Sequence, residues 1–151
     1  MKHPLSTLLR EETRNEHHAA ESAPFIVGLM RGTLTLEHYT RYLTNMAWLY
    51  QALELICDTG ETLPGSGPLW DERLRRLPSI TADLEHLGVT NWQESTAPSA
   101  AMTSYIIHLN QLGGRADPRT IAHHYTRYLG DLSGGQAIAA LMRRHYGATS
   151  E

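Results

Sequence analysis

The stretch that decides the fold is IAHHYTRYLGDLSGGQAIAALMRRHY, which runs from Ile121 to Tyr146. Asp117 and Pro118 precede it, and an N-cap aspartate followed by a first-turn proline predicts the start of a helix. Apolar residues recur at helical spacing in both halves of the stretch, and Gly147 stands where a helix would end. The sequence therefore predicts one long helix that is interrupted in the middle.

A cluster of glycines separates the two halves of this helix. Gly130, Gly134 and Gly135 lie within six positions, and Asp131 stands among them. Each glycine in a helix interior costs about 1 kcal/mol relative to alanine. Helices tolerate such a cluster where they kink, or where a bulky group approaches the backbone closely. We therefore predict a glycine-kinked helix that carries a carboxylate beside bare backbone.

Residues 132–136 of this helix read LSGGQ, which is the signature of ATP-binding-cassette transporters. That class also requires a phosphate-binding loop of the form G-x-x-x-x-G-K-[ST]. The sequence contains no such loop, and its only lysine is Lys2. The LSGGQ string therefore does not indicate a transporter ATPase.

The length predicts a single domain that spans residues 1–151. The low cysteine content indicates a reducing compartment. The net charge is -3, and acidic and basic residues are mixed along the chain, so the sequence shows no basic patch that would bind nucleic acid. The single cysteine, Cys57, excludes an internal disulfide, and its apolar surroundings predict a small buried hydrophobic residue. No segment has the apolar run of a signal peptide or a membrane span, so we expect a cytoplasmic protein.

Histidine is frequent, with nine residues, and two adjacent pairs stand at positions 17–18 and 123–124. Neighbouring side chains on a helix point about 100° apart, so neither pair chelates one metal well, and we expect most histidines to be solvated. In a predicted first helix over residues 5–22, His17 and Glu21 share a face, and Arg10 lies seven residues earlier on it. This pattern fits a surface ion pair. It also fits a metal ligand oriented by a carboxylate, with a cation that meets a charged edge of the same ligand.

The rest of the chain also shows helical periodicity. The strongest amphipathic pattern begins after a Thr35 N-cap and continues to about Thr59. Shorter helices are predicted over residues 69–77, from a Ser79 cap to Gly88, and from Pro98 to Gly113, with loops at 59–68 and 88–98. We find no alternating strand pattern, so the predicted fold class is all-α.

Three segments resemble the haem oxygenase family, in the same order. They are L-R-x-x-T-x-x-x-H-x-x-A-E over residues 9–21, the segment 25–53, and YTRYLGDLSGGQ over residues 125–136. The resemblance implies a single-domain helical bundle of the bacterial, biliverdin-producing type. It implies haem b as substrate and cofactor, cleaved with O2 to biliverdin, carbon monoxide and ferrous iron. No flavin or nicotinamide motif is present, so the electrons would come from a separate reductase or ferredoxin.

The resemblance also implies a role for each matched residue. The haem-binding residues would be His17 as the proximal iron ligand, Glu21 as its hydrogen-bond partner, Arg10 and Tyr125 as propionate contacts, and Gly130, Ser133 and Gly134 on the helix that lies against the porphyrin. The catalytic residues would be Tyr50, Tyr105, Arg127 and Asp131, which hold water that delivers a proton beside the iron.

Two other functions fit parts of this pattern. A haem carrier or sink without turnover would need His17 and the glycines but not Asp131. A helical interaction module would bind no haem, with Asp131 as a cap at the helix kink, Tyr50 and Tyr105 in the core, and Arg127 at the surface or paired with Asp131. Members of the family continue with further helices, whereas this sequence lacks these C-terminal helices and ends at Glu151. We therefore expect a short member of the family, a fragment, or a core whose remaining helices lie outside this sequence.

Overall fold

The computed structural model describes residues 4–61 and 66–146. Within these ranges the regular elements are all helical, which confirms the all-α prediction. The α-helices are α1 (Leu5–Glu12), α2 (Arg14–Glu21), α3 (Pro24–Met30), α4 (Leu36–Cys57), α5 (Leu77–His86), α6 (Trp92–Ser95), α7 (Ala100–Asn110) and α8 (Pro118–Tyr146). Short 3-10 helices cover Gly67–Trp70, Glu72–Leu74 and Gly114–Ala116. None of the described helices combines the length and apolar character that crossing a membrane requires.

The chain groups into two compact units. The first unit contains the chain up to Leu36 together with the end of α8 from Ile138 onward. The second unit comprises Glu37–Ala137 and therefore holds α4 to α7 and the larger part of α8. The single domain expected over residues 1–151 stays a prediction.

The helix predicted over residues 5–22 is wrong as one continuous element, because α1 and α2 meet at Thr13. Thr13 has φ -100° and ψ 8°, and its Oγ1 donates a hydrogen bond to the carbonyl oxygen of Leu9 at 2.7 Å. A threonine hydroxyl that bonds back to residue i−4 competes with the regular ladder and bends a helix. The straight-helix geometry that placed Arg10 and His17 on one face therefore does not apply across Thr13.

Helix α8 begins as predicted, because Asp117 caps it. Oδ1 of Asp117 accepts from the backbone N–H of Arg119 at 2.8 Å, and Oδ2 accepts from that of Gly113 at 3.0 Å. The helix then continues from Pro118 to Tyr146, so the glycines do not divide it into two helices, and the kink stays a prediction. Its middle glycines keep helical backbone, because glycine lowers helix propensity without removing an N–H donor. Gly147, the predicted end, lies outside the described residues.

The segment between α4 and α5 differs from its prediction. The α-helix expected over residues 69–77 is absent, and two 3-10 helices, Gly67–Trp70 and Glu72–Leu74, occupy most of that range. Helix α5 starts at Leu77 rather than after Ser79, with Pro78 in its first turn. A first-turn proline suits a helix start, and the Glu54 carboxylate accepts from the backbone N–H groups of Arg76 and Leu77. A side chain from α4 thus fixes where α5 begins.

Two short helices were not predicted. Pro24, expected only to end the first helix, occupies the first turn of α3, and the loop expected over residues 88–98 contains the single turn of α6. Trp92 at the start of α6 is buried and meets Trp48 edge to face, with ring centroids 4.9 Å apart. Burial of this ring therefore stabilises a turn that has too little local signal to be read from the sequence.

The core of the second unit is built on α4. Leu49, Tyr50 and Leu53 of this helix are at most 1% exposed, and they belong to one apolar cluster with Leu84 of α5 and Leu109 of α7. The predicted amphipathic pattern of α4 is thereby confirmed. Cys57 at its end is buried as expected, and burial, followed by the nearby Asp58 carboxylate, raises the pKa of its thiol to about 12. This thiol is therefore protonated and unreactive at neutral pH.

In the first unit, the end of α8 packs against the turn that follows α3. Gly32 has φ +67°, and a Cβ placed on it would lie 2.6 Å from the ring of His145. Both the backbone conformation and this close ring require glycine at position 32. Leu29 and Met142 are the most deeply buried apolar residues of this unit's described part.

Candidate functional site

The structure brings three of the four predicted catalytic residues together. The Tyr50 hydroxyl on α4 donates a short hydrogen bond to Oδ2 of Asp131 on α8. Nη2 of Arg127, one helical turn earlier, lies 3.8 Å from Oδ1 of the same carboxylate. Nε of Arg76, just before α5, lies 3.6 Å from Oδ2. We call Tyr50, Arg76, Arg127 and Asp131 the Asp131 cluster, and it places two cations and one phenol around one carboxylate.

Burial fixes the protonation of Tyr50. The side chain is fully buried, and this burial, followed by the hydrogen bond to Asp131, raises the pKa of its phenol well above the ordinary value. Tyr50 is therefore a permanent donor at neutral pH. The Arg127 guanidinium lies over the Tyr50 ring, 5.8 Å from its centroid, and its Nη2 lies 3.2 Å from Sδ of Met46. Among the described residues, Nε of Arg127 is buried without a hydrogen-bond partner.

Tyr105, the fourth predicted catalytic residue, is bonded to another partner. Its hydroxyl on α7 lies 2.7 Å from Nδ1 of His123 on α8. Burial raises the pKa of Tyr105, and the positive charge of Arg127 acts in the opposite direction. Tyr105 is thus within electrostatic reach of Arg127, but no direct hydrogen bond to Asp131 is seen in the described part of the chain.

The glycines of α8 have open space where their side chains would point. A Cβ added to Gly130, Gly134 or Gly135 would lie within 4 Å of no described heavy atom, apart from its chain neighbours and the nearby backbone of α8 itself. The described part of the chain thus provides no packing to explain these glycines, whose propensity cost is about 1 kcal/mol each. Leu129 and Leu132 beside them are 48% and 60% exposed. Gly130 and Gly134 stand four residues apart on one side of the helix, and this open side suits a bulky group that approaches the backbone.

The other predicted haem contacts on α8 are Tyr125 and Ser133. Tyr125 is 45% exposed, so its ring is available to a ligand. The Ser133 hydroxyl instead donates to the carbonyl oxygens of Leu129 at 2.9 Å and Gly130 at 3.3 Å. These bonds turn the hydroxyl toward its own helix backbone, so its hydrogen is not free for a ligand.

In the first unit, α2 presents a histidine backed by a carboxylate. Nδ1 of His17 lies 3.5 Å from Oε2 of Glu21, and their side chains are 72% and 66% exposed. A carboxylate at Nδ1 leaves Nε2 of the same ring available to a metal and favours the tautomer that can ligate. Arg10, at the end of α1, is also exposed. The exposure of these residues is compatible with their predicted roles as iron ligand and propionate contact, which stay predictions.

An all-α fold, a carboxylate-backed histidine and a helix with open glycines are the features that the sequence led us to expect of a haem protein. The family model described as "Heme oxygenase" matches residues 3–151. The chain belongs to the haem oxygenase family.

Individual relatives agree with this assignment. The chain is similar to heme oxygenase 2 of Oryctolagus cuniculus, with 33% identity over 141 residues that make up 93% of this chain and 45% of the relative. It is similar to the heme oxygenase of Pyropia yezoensis, with 31% identity over 95% of this chain and 60% of the relative. The chain thus spans only 45% to 60% of the length of these relatives.

Solved structures show the same fold. Heme oxygenase-1 from the cyanobacterium Synechocystis, in complex with heme, superposes with a TM-score of 0.86 at 29% identity, covering 97% of this chain and 66% of that one. The heme oxygenase from Leptospira interrogans gives 0.85 at 31% identity, covering 97% and 71%. The predicted helical bundle of the haem oxygenase type is thereby confirmed.

Sequence reasoning missed Arg76, Met46 and His123 as neighbours of the predicted site. Arg76 stands 55 positions before Asp131 and Met46 stands 81 before Arg127, so no local pattern links them. His123 carried a usable signal, because it lies four residues before Arg127 and eight before Asp131. This spacing places all three side chains along one side of a helix.

Proposed function

We propose that this chain is a haem oxygenase, which binds haem b and cleaves it with O2 to biliverdin, carbon monoxide and ferrous iron. A separate reductase or ferredoxin would supply the electrons. One observation carries the proposal: Asp131 is held by Tyr50 and Arg127, and it directly follows Gly130, whose side-chain direction is open. Membership of the family supports it. The cytoplasmic location stays a prediction from the sequence.

The proposal assigns haem-binding roles to residues of α1, α2 and α8. In this proposal His17 ligates the iron through Nε2, and Glu21 orients the ring through Nδ1. Arg10 and Tyr125 contact the propionates, and Gly130 and Gly134 allow the macrocycle to approach the backbone of α8. When bound, haem supplies both the iron that activates O2 and the ring that is opened.

The chain's own contribution to turnover is to hold and deliver a proton. Oδ2 of Asp131 accepts from Tyr50, and Oδ1 lies 3.8 Å from Arg127, so Oδ1 keeps lone pairs for a water molecule. Two arginine side chains lie within 4 Å of this carboxylate, and a water bound to it can pass a proton on without direct contact by the side chain. Asp131 therefore acts through water, in a setting where Tyr50 fixes its orientation.

The test is a single-turnover assay of the haem complex with a supplied electron source. Asp131→Ala removes the water-holding carboxylate, and loss of such general acid assistance typically lowers the rate about 10²–10⁴-fold. We expect haem binding to persist, since His17 is untouched. Glu85→Gln, which neutralises an exposed carboxylate on α5, is the matched control and should behave as wild type.

The outcomes separate the three functions. Equal biliverdin formation by wild type and Asp131→Ala would contradict the role of Asp131. Haem binding by both proteins with no biliverdin from either would favour a carrier or sink. A chain that binds no haem would be a helical interaction module.

A further inference from the structure

His123 extends the row of functional side chains on α8 by one turn. His123, Arg127 and Asp131 are spaced four residues apart, so their side chains lie along one side of the helix. Arg127 and Asp131 belong to the Asp131 cluster, whereas His123 has no assigned role. Its Nδ1 lies 2.7 Å from the hydroxyl of Tyr105, which α7 places beside it. His123 is therefore the direct partner of a predicted catalytic tyrosine.

Nδ1 of His123 can either accept a hydrogen bond from the Tyr105 hydroxyl or donate one to it. In neutral histidine with its proton on Nε2, Nδ1 accepts a hydrogen bond, so the Tyr105 hydroxyl donates to it. In protonated histidine both nitrogens are donors, so Nδ1 donates and the tyrosine oxygen accepts. The same contact thus turns the hydroxyl hydrogen either toward His123 or away from it.

The surroundings of His123 favour the neutral ring. Partial burial, followed by the neighbouring His108, lowers the pKa of His123 below its ordinary value. The His108 ring on α7 meets it edge to face, with centroids 5.4 Å apart. In the described part of the chain, the titratable groups against His123 are Tyr105 and His108, and Arg127 lies one turn further along α8.

We propose that His123 is a positioning residue that sets the hydrogen-bonding polarity of the Tyr105 hydroxyl. At neutral pH Tyr105 donates to Nδ1 and offers its oxygen lone pairs to neighbouring donors. When His123 is protonated, Tyr105 accepts from Nδ1 and its own hydrogen turns outward. This inference rests on the proposed function, because it takes Tyr105 as part of the proton-delivering site. The hydrogen bond between Tyr105 and His123 is present in the haem-free chain.

The first experiment needs no haem. Nitrogen-15 NMR of the histidine rings in the haem-free chain reports which nitrogen carries the proton. We expect the Nε2–H tautomer of His123 at neutral pH, with Nδ1 shifted by an accepted hydrogen bond, and loss of that shift in Tyr105→Phe. His86, exposed at the end of α5, is the reference ring and should not respond. A proton on Nδ1 at neutral pH, or no change in Tyr105→Phe, would overturn the proposal.

The second experiment measures single-turnover rate against pH in two variants. His123→Leu removes the acceptor and should lower the rate about 2- to 10-fold at neutral pH, with haem affinity unchanged. His123→Asn keeps an acceptor near the Nδ1 position, so it should restore the neutral-pH rate and abolish the change that wild type shows as His123 is protonated. Equal losses in both variants would indicate a packing role and overturn the proposal. If wild type forms no biliverdin, the proposed function fails, and the NMR result alone decides the polarity of the pair.

Discussion

His124 lies in the core of the second unit, with 5% of its surface exposed. Its ring stacks on Tyr128, with centroids 4.1 Å apart and an interplanar angle of 21°, and Trp70 meets it edge-on at 5.0 Å. Among the described residues, Nδ1 has no hydrogen-bond partner. Most of the described histidines are exposed, as the sequence predicted, and His124 is an exception because its imidazole packs here as an aromatic ring.

This burial makes folding sensitive to acid. Desolvation lowers the pKa of His124 to about 4, against an ordinary value of 6.5. Below pH 6.5, His124 becomes protonated in the unfolded chain, whereas in the folded chain it stays neutral down to about pH 4. The free energy of unfolding should therefore fall by about 3 kcal/mol across that window because of this residue. Urea unfolding at pH 7, 5.5 and 4.5 measures it.

The variant His124→Phe isolates the contribution of this ring. The phenylalanine ring keeps the aromatic packing between Tyr128 and Trp70, and no observed hydrogen bond of Nδ1 is lost. Because phenylalanine takes up no proton, the free energy of unfolding of this variant should depend less on pH. The exposed His86→Phe is the matched control and should retain the wild-type dependence. An unchanged pH dependence in His124→Phe would show that His124 is not the group that takes up the proton.

His17 and His18 give a second prediction at this scale. Only His17 has a carboxylate at Nδ1, in Glu21, so we expect His17→Ala to remove the histidine-ligated ferric spectrum of the haem complex. His18→Ala, the matched control on the same helix, should leave that spectrum intact. A spectrum that disappears with His18 instead would reassign the iron ligand.

At the scale of the element, α8 combines two opposing demands. The helix itself would be more stable with alanine in place of its glycines. A Cβ at Gly134 would lie within 4 Å of no described heavy atom, apart from its chain neighbours and the nearby backbone of α8. Gly134→Ala should therefore stabilise the haem-free chain by about 1 kcal/mol. The same methyl group would stand where the proposed haem approaches the backbone, so haem affinity should fall.

Gly135→Ala is the matched control for this prediction. It should give the same stabilisation, but its side chain points about 100° away from that of Gly134. We expect it to weaken haem binding less. Thermal unfolding of the haem-free variants and haem titration measure the two effects, and equal haem affinity in wild type and Gly134→Ala would contradict the proposed close approach.

At the scale of the whole molecule, Glu54 ties three parts of the second unit together. This buried carboxylate of α4 accepts from the backbone N–H groups of Arg76 and Leu77, at 2.7 and 3.1 Å. It also accepts from the Tyr128 hydroxyl of α8 at 3.1 Å, and Nη1 of Arg75 lies 3.7 Å from its Oε2. Arg76 also contacts Asp131, so the backbone that carries one cation of the Asp131 cluster is held by Glu54.

Removing this carboxylate should destabilise the fold strongly. Glu54→Leu leaves buried donors unpaired and should lower the free energy of unfolding by about 3–5 kcal/mol. Glu72→Leu is the matched control, because Glu72 also pairs with Arg75 but is 76% exposed. Such a surface pair contributes little to stability, because water and salt screen the two charges. Urea unfolding compares the two, and a Glu54→Leu loss no larger than that of Glu72→Leu would contradict the assigned role.

The sequence by itself determined the helices that have strong local signals. The apolar period of α4, and Asp117 and Pro118 at the start of α8, act through neighbours within a few residues, so they can be read directly. The pairing of His17 with Glu21 is also local, because residues four apart meet on one helix face. Tyr50 and Asp131 were identified through the family motif.

The tertiary structure alone decided which distant side chains meet. Tyr50 and Asp131 are 81 residues apart, and their hydrogen bond depends on how α4 packs against α8. The start of α5 and the burial of His124 likewise depend on partners from other elements, Glu54 and Trp70. A local pattern carries no information about such partners, because burial and pairing are set by packing. For the same reason the sequence placed α5 too late and did not single out His124 as a core histidine.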